Sequence, residues 1–394
     1  MLNLPAKIKE MTVWVTGECN LSCKYCFVYK LNQNPPHGKM TMQTADQLIR
    51  FCTQNLDPNG ALWFFGAEPF CNFDTLKYIV EKSHTDGHKW NFGVTTNCTL
   101  VTEDIALWMK KYNFGATVSI DGSKNSHDTN RVYPNGKGSW EDAWRGFLLL
   151  KKHFTNTPQL RWTVTPSTVK GLADAIKSFV EEFNLTSLAV DMVYEAEWAP
   201  QDLANLRQEL EIFRGYYKNW MERGVPVFSM WVRDANAAIT QTRRVWDSRC
   251  GLGQGGISVD YDGSIYPCHR FVDSHEIKIG DIYSGFAQSR LDWIKHWQNI
   301  APYCEVPTKC LSCNYKNNCI GGCIAQNYDV FGLPHVNPET FCTIKQLITD
   351  VFSELCKSMQ TNKTFQKLYA KPPFEQKPKL PQTSTNSTQL AQKN

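Results

Sequence analysis

Short apolar runs alternate with amphipathic stretches through the first 225 residues of the chain. Runs rich in β-branched and aromatic residues predict strands, and apolar residues spaced three and four positions apart predict helices. The predicted strands cover residues 11–16, 61–65, 90–96, 116–120, 160–165 and 188–194, and the helical patterns that follow them cover 45–52, 76–80, 102–112, 143–154, 168–183 and 201–223. Six such strand–helix units favour an α/β fold with a parallel sheet, wrapped as a barrel or doubly wound.

The same pattern predicts two helix caps and two packed thiols. Thr102 should cap the helix at 102–112, and Ser139, with Asp142 three residues later, predicts a capping box before the helix at 143–154. Cys52 lies in the apolar stripe of its helix, and Cys356 lies beside apolar residues near the C-terminus. We therefore predict that both thiols are part of the core.

The pattern changes beyond Pro226, where cysteines become dense and a glycine-rich hairpin signal appears around Asp262-Gly263. From Lys371 the chain is polar and proline-rich, with few residues able to build a core. We therefore predict four parts: an α/β domain at 1–225, a small cysteine-rich domain at 226–345, a C-terminal helix at 346–370 and a disordered tail at 371–394.

The charge balance excludes some classes of partner. The 42 basic and 38 acidic residues leave a net charge of +4, too small to indicate binding to nucleic acid or to an anionic membrane. No apolar run approaches the roughly 20 residues needed to span a bilayer, so we expect a cytoplasmic protein. Fifteen cysteines in a reducing compartment indicate metal binding rather than disulfides.

Three of these cysteines, Cys19, Cys23 and Cys26, lie within eight residues directly after the first predicted strand. A zinc site usually needs four ligands, whereas three thiolates on a four-iron cluster leave one iron open to a small molecule. The spacing C-x₃-C-x₂-C, with Tyr25 before the third cysteine, resembles the signature of the radical SAM superfamily. That resemblance implies S-adenosylmethionine as cofactor, a 5′-deoxyadenosyl radical as the reactive species, and a partial (β/α)₆ barrel.

Further motifs at predicted strand ends resemble elements that bind the cofactor in this superfamily. The segment Gly66-Ala67-Glu68-Pro69 resembles the GGEP element, in which the backbone and the Glu hold the amino group of S-adenosylmethionine. Asn97 ends the third predicted strand. Ser119 and Arg131 match positions that reach the ribose and the carboxylate in peptide-modifying members, and the ring of Tyr25 or Phe27 is a candidate to pack on the adenine.

The alternative for the region around Ser119 and Arg131 is a polar loop with a surface salt bridge. Under either hypothesis we expect Asp121 and His127 to serve the architecture of this loop. Three acidic residues lie at and after the sixth predicted strand: Asp191, Glu195 and Glu197. They either serve as a base or substrate ligand or belong to a solvated loop.

A second group of cysteines resembles the SPASM domain, which carries two auxiliary [4Fe–4S] clusters. The resemblance implies a distal cluster on Cys310, Cys313, Cys319 and Cys342, and a proximal cluster on Cys250, Cys268 and Cys323. The fourth proximal ligand is either Cys304 or none, which would leave an iron open to substrate. The structural alternative is a zinc ribbon on Cys310, Cys313, Cys319 and Cys323.

Two thiols, Cys71 after the GAEP segment and Cys98 after Asn97, could return a hydrogen atom to a substrate radical or simply fill the core. With three [4Fe–4S] clusters, the chain resembles enzymes that modify a peptide or protein substrate with an external electron donor. Because the first strand begins near residue 11, we expect a separate small protein to bind the substrate leader, as with the peptide spliceases. An anaerobic sulfatase-maturating enzyme is the second hypothesis, and a non-catalytic zinc-binding protein is the third.

Overall fold

The computed structural model describes residues 7–28, 38–240, 252, 256–272, 274–289, 308–313, 315, 319, 322–334 and 336–369. Ten strands form one sheet: β1 (Ile8–Val13), β2 (Leu56–Phe64), β3 (Asn91–Thr96), β4 (Gly115–Ser119), β5 (Gln159–Val164), β6 (Leu188–Met192), β7 (Gly256–Val259), β8 (Ser264–Tyr266), β9 (Gly280–Asp281) and β10 (Gly285–Phe286). Their order across the sheet is β10-β9-β8-β7-β1-β2-β3-β4-β5-β6.

Helices connect and cover these strands. The α-helices are α1 (Met42–Asn55), α2 (Phe73–Thr85), α3 (Glu103–Lys111), α4 (Lys124–Asn130), α5 (Trp140–His153), α6 (Leu172–Glu181), α7 (Pro200–Glu222), α8 (Met230–Ile239), α9 (Thr308–Leu311), α10 (Ile324–Phe331), α11 (Glu339–Ser358) and α12 (Lys363–Tyr369). Short 3₁₀ turns lie at Pro69–Asn72, Pro166–Thr168, His269–Phe271 and His275–Ile277. Within the described ranges, no helix combines the length and apolar character that crossing a bilayer would require.

Strands β1 to β6 are parallel neighbours in chain order, which confirms the predicted α/β architecture. Their pairing aligns the carboxyl ends: Val13 pairs with Phe64, Phe64 pairs with Val94, and Val164 pairs with Met192. Strand β2 begins five residues earlier than predicted, and the register shifts there, because Ile8 pairs with Leu56 whereas Glu10 pairs with Ala61. Among the described strands β6 and β10 form the two edges, so the sheet is open and the predicted barrel is not closed.

The predicted hairpin around Asp262-Gly263 is confirmed as β7 and β8, which pair antiparallel. We assigned this hairpin to a separate cysteine-rich domain, yet β7 pairs in parallel with β1, with Glu10 opposite Gly256. The hairpin therefore extends the main sheet. Helix α8 lies in the same predicted domain, and the sequence analysis did not predict it.

The two thiols predicted to be core residues are buried, as expected. The Cys52 thiol on α1 lies 3.6 Å from the sulfur of Met11 on β1, and both residues are fully buried. Cys356 on α11 is also fully buried and donates to the carbonyl of Val232 on α8 at 3.6 Å. Each thiol therefore acts as a small apolar group that joins two elements.

One of the two predicted helix caps is wrong. The Thr102 hydroxyl accepts a hydrogen bond from the Ile105 amide at 3.3 Å, which confirms that cap. Ser139 precedes α5, but its side chain makes no capping bond. Its hydroxyl donates instead to the carbonyl of Arg131 at 2.7 Å and contacts His127, so the segment before α5 takes the hydroxyl away from the helix. The predicted disordered tail, 371–394, lies outside the described residues.

Gly122, three residues after the end of β4, allows a test of how tightly the loop packs against the core. Its φ is +71°, and an added Cβ would lie 2.1 Å from the buried ring of Trp162 on β5. Gly136 has a similar φ of +83° with no atom within 4 Å of an added Cβ. Both alanine variants carry the cost of positive φ, about 1 kcal/mol, and only G122A adds an overpacking cost of about 1–3 kcal/mol.

We therefore expect the free energy of unfolding to fall by about 2–4 kcal/mol in G122A and by about 1 kcal/mol in the matched control G136A. Urea denaturation, followed by tryptophan fluorescence and by circular dichroism, measures both. Equal losses in the two variants would show that Trp162 moves aside at no cost.

Candidate active site

A large cavity of about 1190 Å³ lies at the carboxyl ends of the parallel strands. Its wall includes residues from the segments that follow β1, β2, β3 and β6: Cys19, Leu21, Cys23, Tyr25, Cys26, Phe27, Val28, Phe65, Gly66, Ala67, Asn97, Val193, Tyr194 and Glu195. This volume exceeds that of most small-ligand sites, so a cofactor and part of a larger substrate fit together.

The inner face of the sheet is polar. Thr12, Thr95, Thr117 and Thr163, from β1, β3, β4 and β5, all line the cavity. Most residues that alternate with these threonines are buried and apolar, as are Met11, Val94, Val118 and Trp162. In a closed parallel barrel, branched apolar side chains usually fill the interior. Hydroxyl groups at these positions instead leave a space suited to polar ligands.

The loop after β1 brings Cys19, Cys23 and Cys26 to the cavity wall. Two backbone bonds fix its path: the amide of Ser22 donates to the carbonyl of Val132 at 2.7 Å, and the amide of Lys24 donates to the carbonyl of Asn130 at 3.0 Å. The loop is therefore attached to the end of α4 and the residues that follow it. This attachment fixes the loop that carries the three thiols relative to the strand ends.

N–H donors surround the sulfur atoms of this loop. Leu21 N lies 3.4 Å and Asn97 Nδ2 3.8 Å from Cys19 Sγ, and Arg131 Nη1 lies 4.0 Å from Cys23 Sγ. Burial nevertheless raises the pKa of the Cys23 thiol to about 11. Metal binding must therefore displace protons, and the donors would stabilise the resulting thiolates. Three thiols on one loop at the wall of this cavity match the ligand number of a three-cysteine iron–sulfur cluster with one open iron.

Glu68 joins the ends of β2 and β3. Its carboxylate accepts hydrogen bonds from the Thr96 hydroxyl at 2.8 Å, the Asn97 amide at 2.7 Å and the Phe70 amide at 3.3 Å. Burial raises the pKa of this carboxyl to about 7, although the three hydrogen bonds oppose the shift. The side chain is 1% exposed and is not among the described residues that line the cavity, whereas Gly66 and Ala67 of the same segment line it.

Asn97 connects this network to the cysteine loop. Its side-chain amide donates to Asn20 Oδ1 at 2.9 Å, and its oxygen accepts from the amide and hydroxyl of Thr99. Asn20 in turn donates to the Thr99 hydroxyl at 2.8 Å. The position of Cys19 is therefore coupled through Asn97 to the buried carboxylate of Glu68.

The alternative of a surface salt bridge near Arg131 is wrong, because the pair is buried. Arg131 Nε lies 2.9 Å from Asp121 Oδ2, and the two side chains are 9% and 0% exposed. Asp121 also accepts hydrogen bonds from the Tyr25 hydroxyl and, at 2.9 Å, from the Thr163 amide. His127 Nδ1 accepts from the Asp121 amide at 3.3 Å. Both residues belong to the architecture of the loop, as expected, and Ser119, Tyr25 and Arg131 line the cavity.

The structure does not bring the two hydrogen-donor candidates to the cavity. Cys98 has a φ of +67° and is fully buried, with its carbonyl and thiol packed against Gly146 on α5. Cys71 lies in the turn after Glu68, and neither thiol is among the described residues of the cavity wall. Pro69, which is buried at the start of the same turn, is also absent from the described wall.

The described cysteines of the second group line the same cavity: Cys268, Cys310, Cys313, Cys319, Cys323 and Cys342. Cys250 and Cys304 lie outside the described residues. Across the described ranges, no three His, Cys, Asp or Glu side chains converge on a site for a single metal ion.

Several cavity residues were missed or left open by the sequence analysis. Arg161 lies 3.4 Å from Asp191, whose other oxygen accepts from the Tyr194 hydroxyl at 2.7 Å. Arg270 lies 2.9 Å from Glu195 and over the ring of Phe27 at 4.6 Å. Glu197 is absent from the described wall.

Arg161 could have been found from the sequence. It alternates with the buried residues Leu160 and Trp162 on β5, and this period of two places it on the inner face beside Thr163. Arg270 offers no comparable signal, apart from its position two residues after Cys268.

Comparison with known proteins agrees with this geometry. A family model described as the Radical SAM superfamily matches residues 14–178. An uncharacterized protein of Methanocaldococcus jannaschii is 30% identical over 189 residues, which cover 47% of this chain and 63% of that protein. The chain therefore spans less than two thirds of that relative. The cysteine-type anaerobic sulfatase-maturating enzyme of Clostridium perfringens is 23% identical over 318 residues, covering 77% of this chain and 85% of the enzyme.

Solved structures share the fold. Native anSMEcpe with bound AdoMet and the Cp18Cys peptide superposes with a TM-score of 0.71 at 19% identity, over 89% of this chain and all of that chain. Streptococcus suis SuiB bound to the precursor peptide SuiA gives 0.56 at 15% identity, over 86% of this chain and 76% of that one. Residues 14–178, with their cysteine loop at the carboxyl end of β1, thus match the family model of the Radical SAM superfamily.

Proposed function

We propose that this protein is a radical SAM enzyme that modifies a ribosomally made peptide. The observation that carries the proposal is the shared cavity, because three cysteines of the cysteine loop and six cysteines of the second group line the same space. An enzyme that modifies a residue within a peptide needs room for cofactor and substrate together, and a cavity of about 1190 Å³ supports this.

In this proposal Cys19, Cys23 and Cys26 hold a [4Fe–4S] cluster. S-adenosylmethionine bound there would supply a 5′-deoxyadenosyl radical that abstracts hydrogen. Around it, Arg131 offers a buried cation for a carboxylate, Ser119 a hydroxyl, and Tyr25 an aromatic ring, and each of these lines the cavity. Gly66 and Ala67 contribute almost no side chain, which leaves their backbone accessible to the cofactor. Asn97 orients the loop, and the carboxylate of Glu68 holds Asn97 in place.

The second group of cysteines would hold two auxiliary [4Fe–4S] clusters in a SPASM domain. We assign Cys310, Cys313, Cys319 and Cys342 to one cluster, and Cys268 and Cys323, with Cys250, to the other. Position on the cavity wall supports a role next to the substrate, where a cluster could accept an electron or bind substrate directly. The cofactor chemistry also requires an external electron donor, which fits a cytoplasmic enzyme.

A peptide substrate is supported by the solved relatives, which carry the Cp18Cys peptide and the precursor peptide SuiA. The reaction outcome could be backbone excision, cross-linking or epimerisation. Sulfatase maturation is the second candidate, favoured by the match to the maturating enzyme of Clostridium perfringens over most of both chains. The choice between the two depends on the substrate that the enzyme accepts.

We also propose that a separate small protein delivers the substrate leader. A cavity that releases its product after each turnover must bind the modified segment weakly. Affinity is then better provided by a distant leader, since tethering raises the local concentration of the modified segment into the mM range.

Replacement of the three loop cysteines tests the site. C19A/C23A/C26A should form no 5′-deoxyadenosine under strong reductant, and its iron content after anaerobic reconstitution should fall from about twelve to about eight atoms per chain. Iron and sulfide assays and mass spectrometry of the nucleoside measure this. The control C356A removes a thiol that contacts α8 and should match the wild type. Wild-type cleavage in the triple variant, or stoichiometric zinc without sulfide, would contradict the proposal.

The leader hypothesis has its own test. The enzyme is titrated with a full-length precursor peptide from a neighbouring gene and with the leaderless core peptide, each with and without the candidate partner protein. Modification of the full-length precursor, measured by mass spectrometry, should improve with the partner mainly at low precursor concentration, because tethering adds nothing once the site is saturated. Equal efficiency on both peptides without the partner would remove the hypothesis and favour the maturase.

A further inference from the structure

Asp121 receives hydrogen bonds from three separate parts of the chain. The donors are the Tyr25 hydroxyl on the cysteine loop, the Arg131 side chain directly after α4, and the Thr163 amide on β5. The carboxylate is fully buried. Because the three donors belong to different segments, they hold the carboxylate in place together. The carboxylate in turn connects the three segments.

The backbone around Asp121 is itself held firmly. His127 Nδ1 accepts from the Asp121 amide at 3.3 Å, and His127 Nε2 lies 3.0 Å from the Ser139 hydroxyl. Burial lowers the pKa of His127 to about 2, so the imidazole is neutral and can accept through Nδ1. Gly122, with no Cβ, allows Trp162 to close against the turn.

The ion pair with Asp121 uses only the Nε of the Arg131 guanidinium. Its Nε faces Asp121 at 2.9 Å, whereas Nη1 lies 4.0 Å from Cys23 Sγ. The guanidinium carbon lies 5.3 Å from the centre of the Tyr25 ring, and Arg131 lines the cavity. One arginine therefore reaches a cluster ligand and the cavity at once, provided that its Nε stays in place.

We propose that Asp121 is the positioning residue of the cofactor site: it holds Arg131 so that the terminal nitrogens contact Cys23 and receive the carboxylate of S-adenosylmethionine. The inference rests on the proposed function, since it presumes that this cavity binds S-adenosylmethionine. Arginine has a long side chain with many rotamers, and a fixed carboxylate at Nε restricts it to one. Asp121 itself does not line the described cavity, so it acts through Arg131.

A purely structural role makes a different prediction. If Asp121 only neutralises a buried cation, its replacement lowers stability and leaves cofactor affinity per folded molecule unchanged. If Asp121 positions Arg131, affinity falls as well, and the loss disappears once Arg131 is gone. A double-mutant cycle separates these cases because it measures whether two residues act through one another.

The experiment uses the reconstituted, full-length protein and S-adenosylmethionine as the probe. The variants are D121N, D121E, R131Q and D121N/R131Q, with D128N as the matched control. Asp128 lies on α4 and pairs with the exposed Lys124. The measurements are the dissociation constant of S-adenosylmethionine, the electron paramagnetic resonance spectrum of the reduced loop cluster, and the denaturation midpoint.

We expect D121N to weaken cofactor binding by about tenfold to a hundredfold, the factor that a charge-assisted hydrogen bond represents. D121N/R131Q should bind as R131Q does, and D128N as the wild type. The D121N spectrum should change even without cofactor, because Arg131 Nη1 leaves Cys23. D121N leaves a buried cation unpaired and can unfold the protein. D121E keeps the charge but displaces it by one methylene, so it should also lose affinity while remaining folded.

Wild-type affinity in folded D121N or D121E would overturn the inference, as would an equal loss from D121N with and without Arg131. Both results leave the proposed function intact, because the wild type still binds S-adenosylmethionine. A wild-type protein that carries the loop cluster yet does not bind the cofactor would overturn the proposed function, and the positioning role with it.

Discussion

Parallel pairing of β1 to β6 is the constraint on which the rest of the structure depends. The carboxyl ends of the six strands lie on the same side of the sheet, so residues far apart in the chain meet at one edge. The cysteine loop after β1, Asn97 after β3 and Asp121 after β4 meet there because of that register. A slip of one residue in any pair would turn the inner threonines toward the helices and the apolar side chains into the cavity.

Two buried carboxylates connect the segments at these strand ends by hydrogen bonds. Glu68 links the end of β2 to the end of β3, and Asp121 links the cysteine loop to α4 and β5. Each accepts three hydrogen bonds, which offset the cost of removing a carboxylate from water. Neither carboxylate lines the described cavity, whose charged side chains are paired across elements, as in Arg161 with Asp191 and Arg270 with Glu195.

The sequence predicted most of the fold because strands and helices follow local periodicity. It also predicted the cysteine loop, whose three ligands are close in the chain. It did not show that Arg131 and Asp121 are buried, because burial depends on Tyr25 and Thr163 from distant segments. Ser139 was misread for a similar reason, since the Arg131 carbonyl competes for its hydroxyl. The composition around the hairpin indicated a separate domain, and only the pairing of β7 with β1 reveals that it belongs to the main sheet.

That pairing makes β1 an interior strand whose two neighbours are synthesised at very different times. Strand β2 follows within about fifty residues, whereas Gly256, the partner of Glu10, is translated only after all six parallel units. Until then one side of β1 has no described partner in the sheet, and an unpaired strand edge is prone to association with other chains. Contacts of such long sequence separation also slow folding, because a large loop must close before they form. The cysteine loop begins six residues after β1, so the strand edge that stays unpaired longest lies next in the chain to the three thiols.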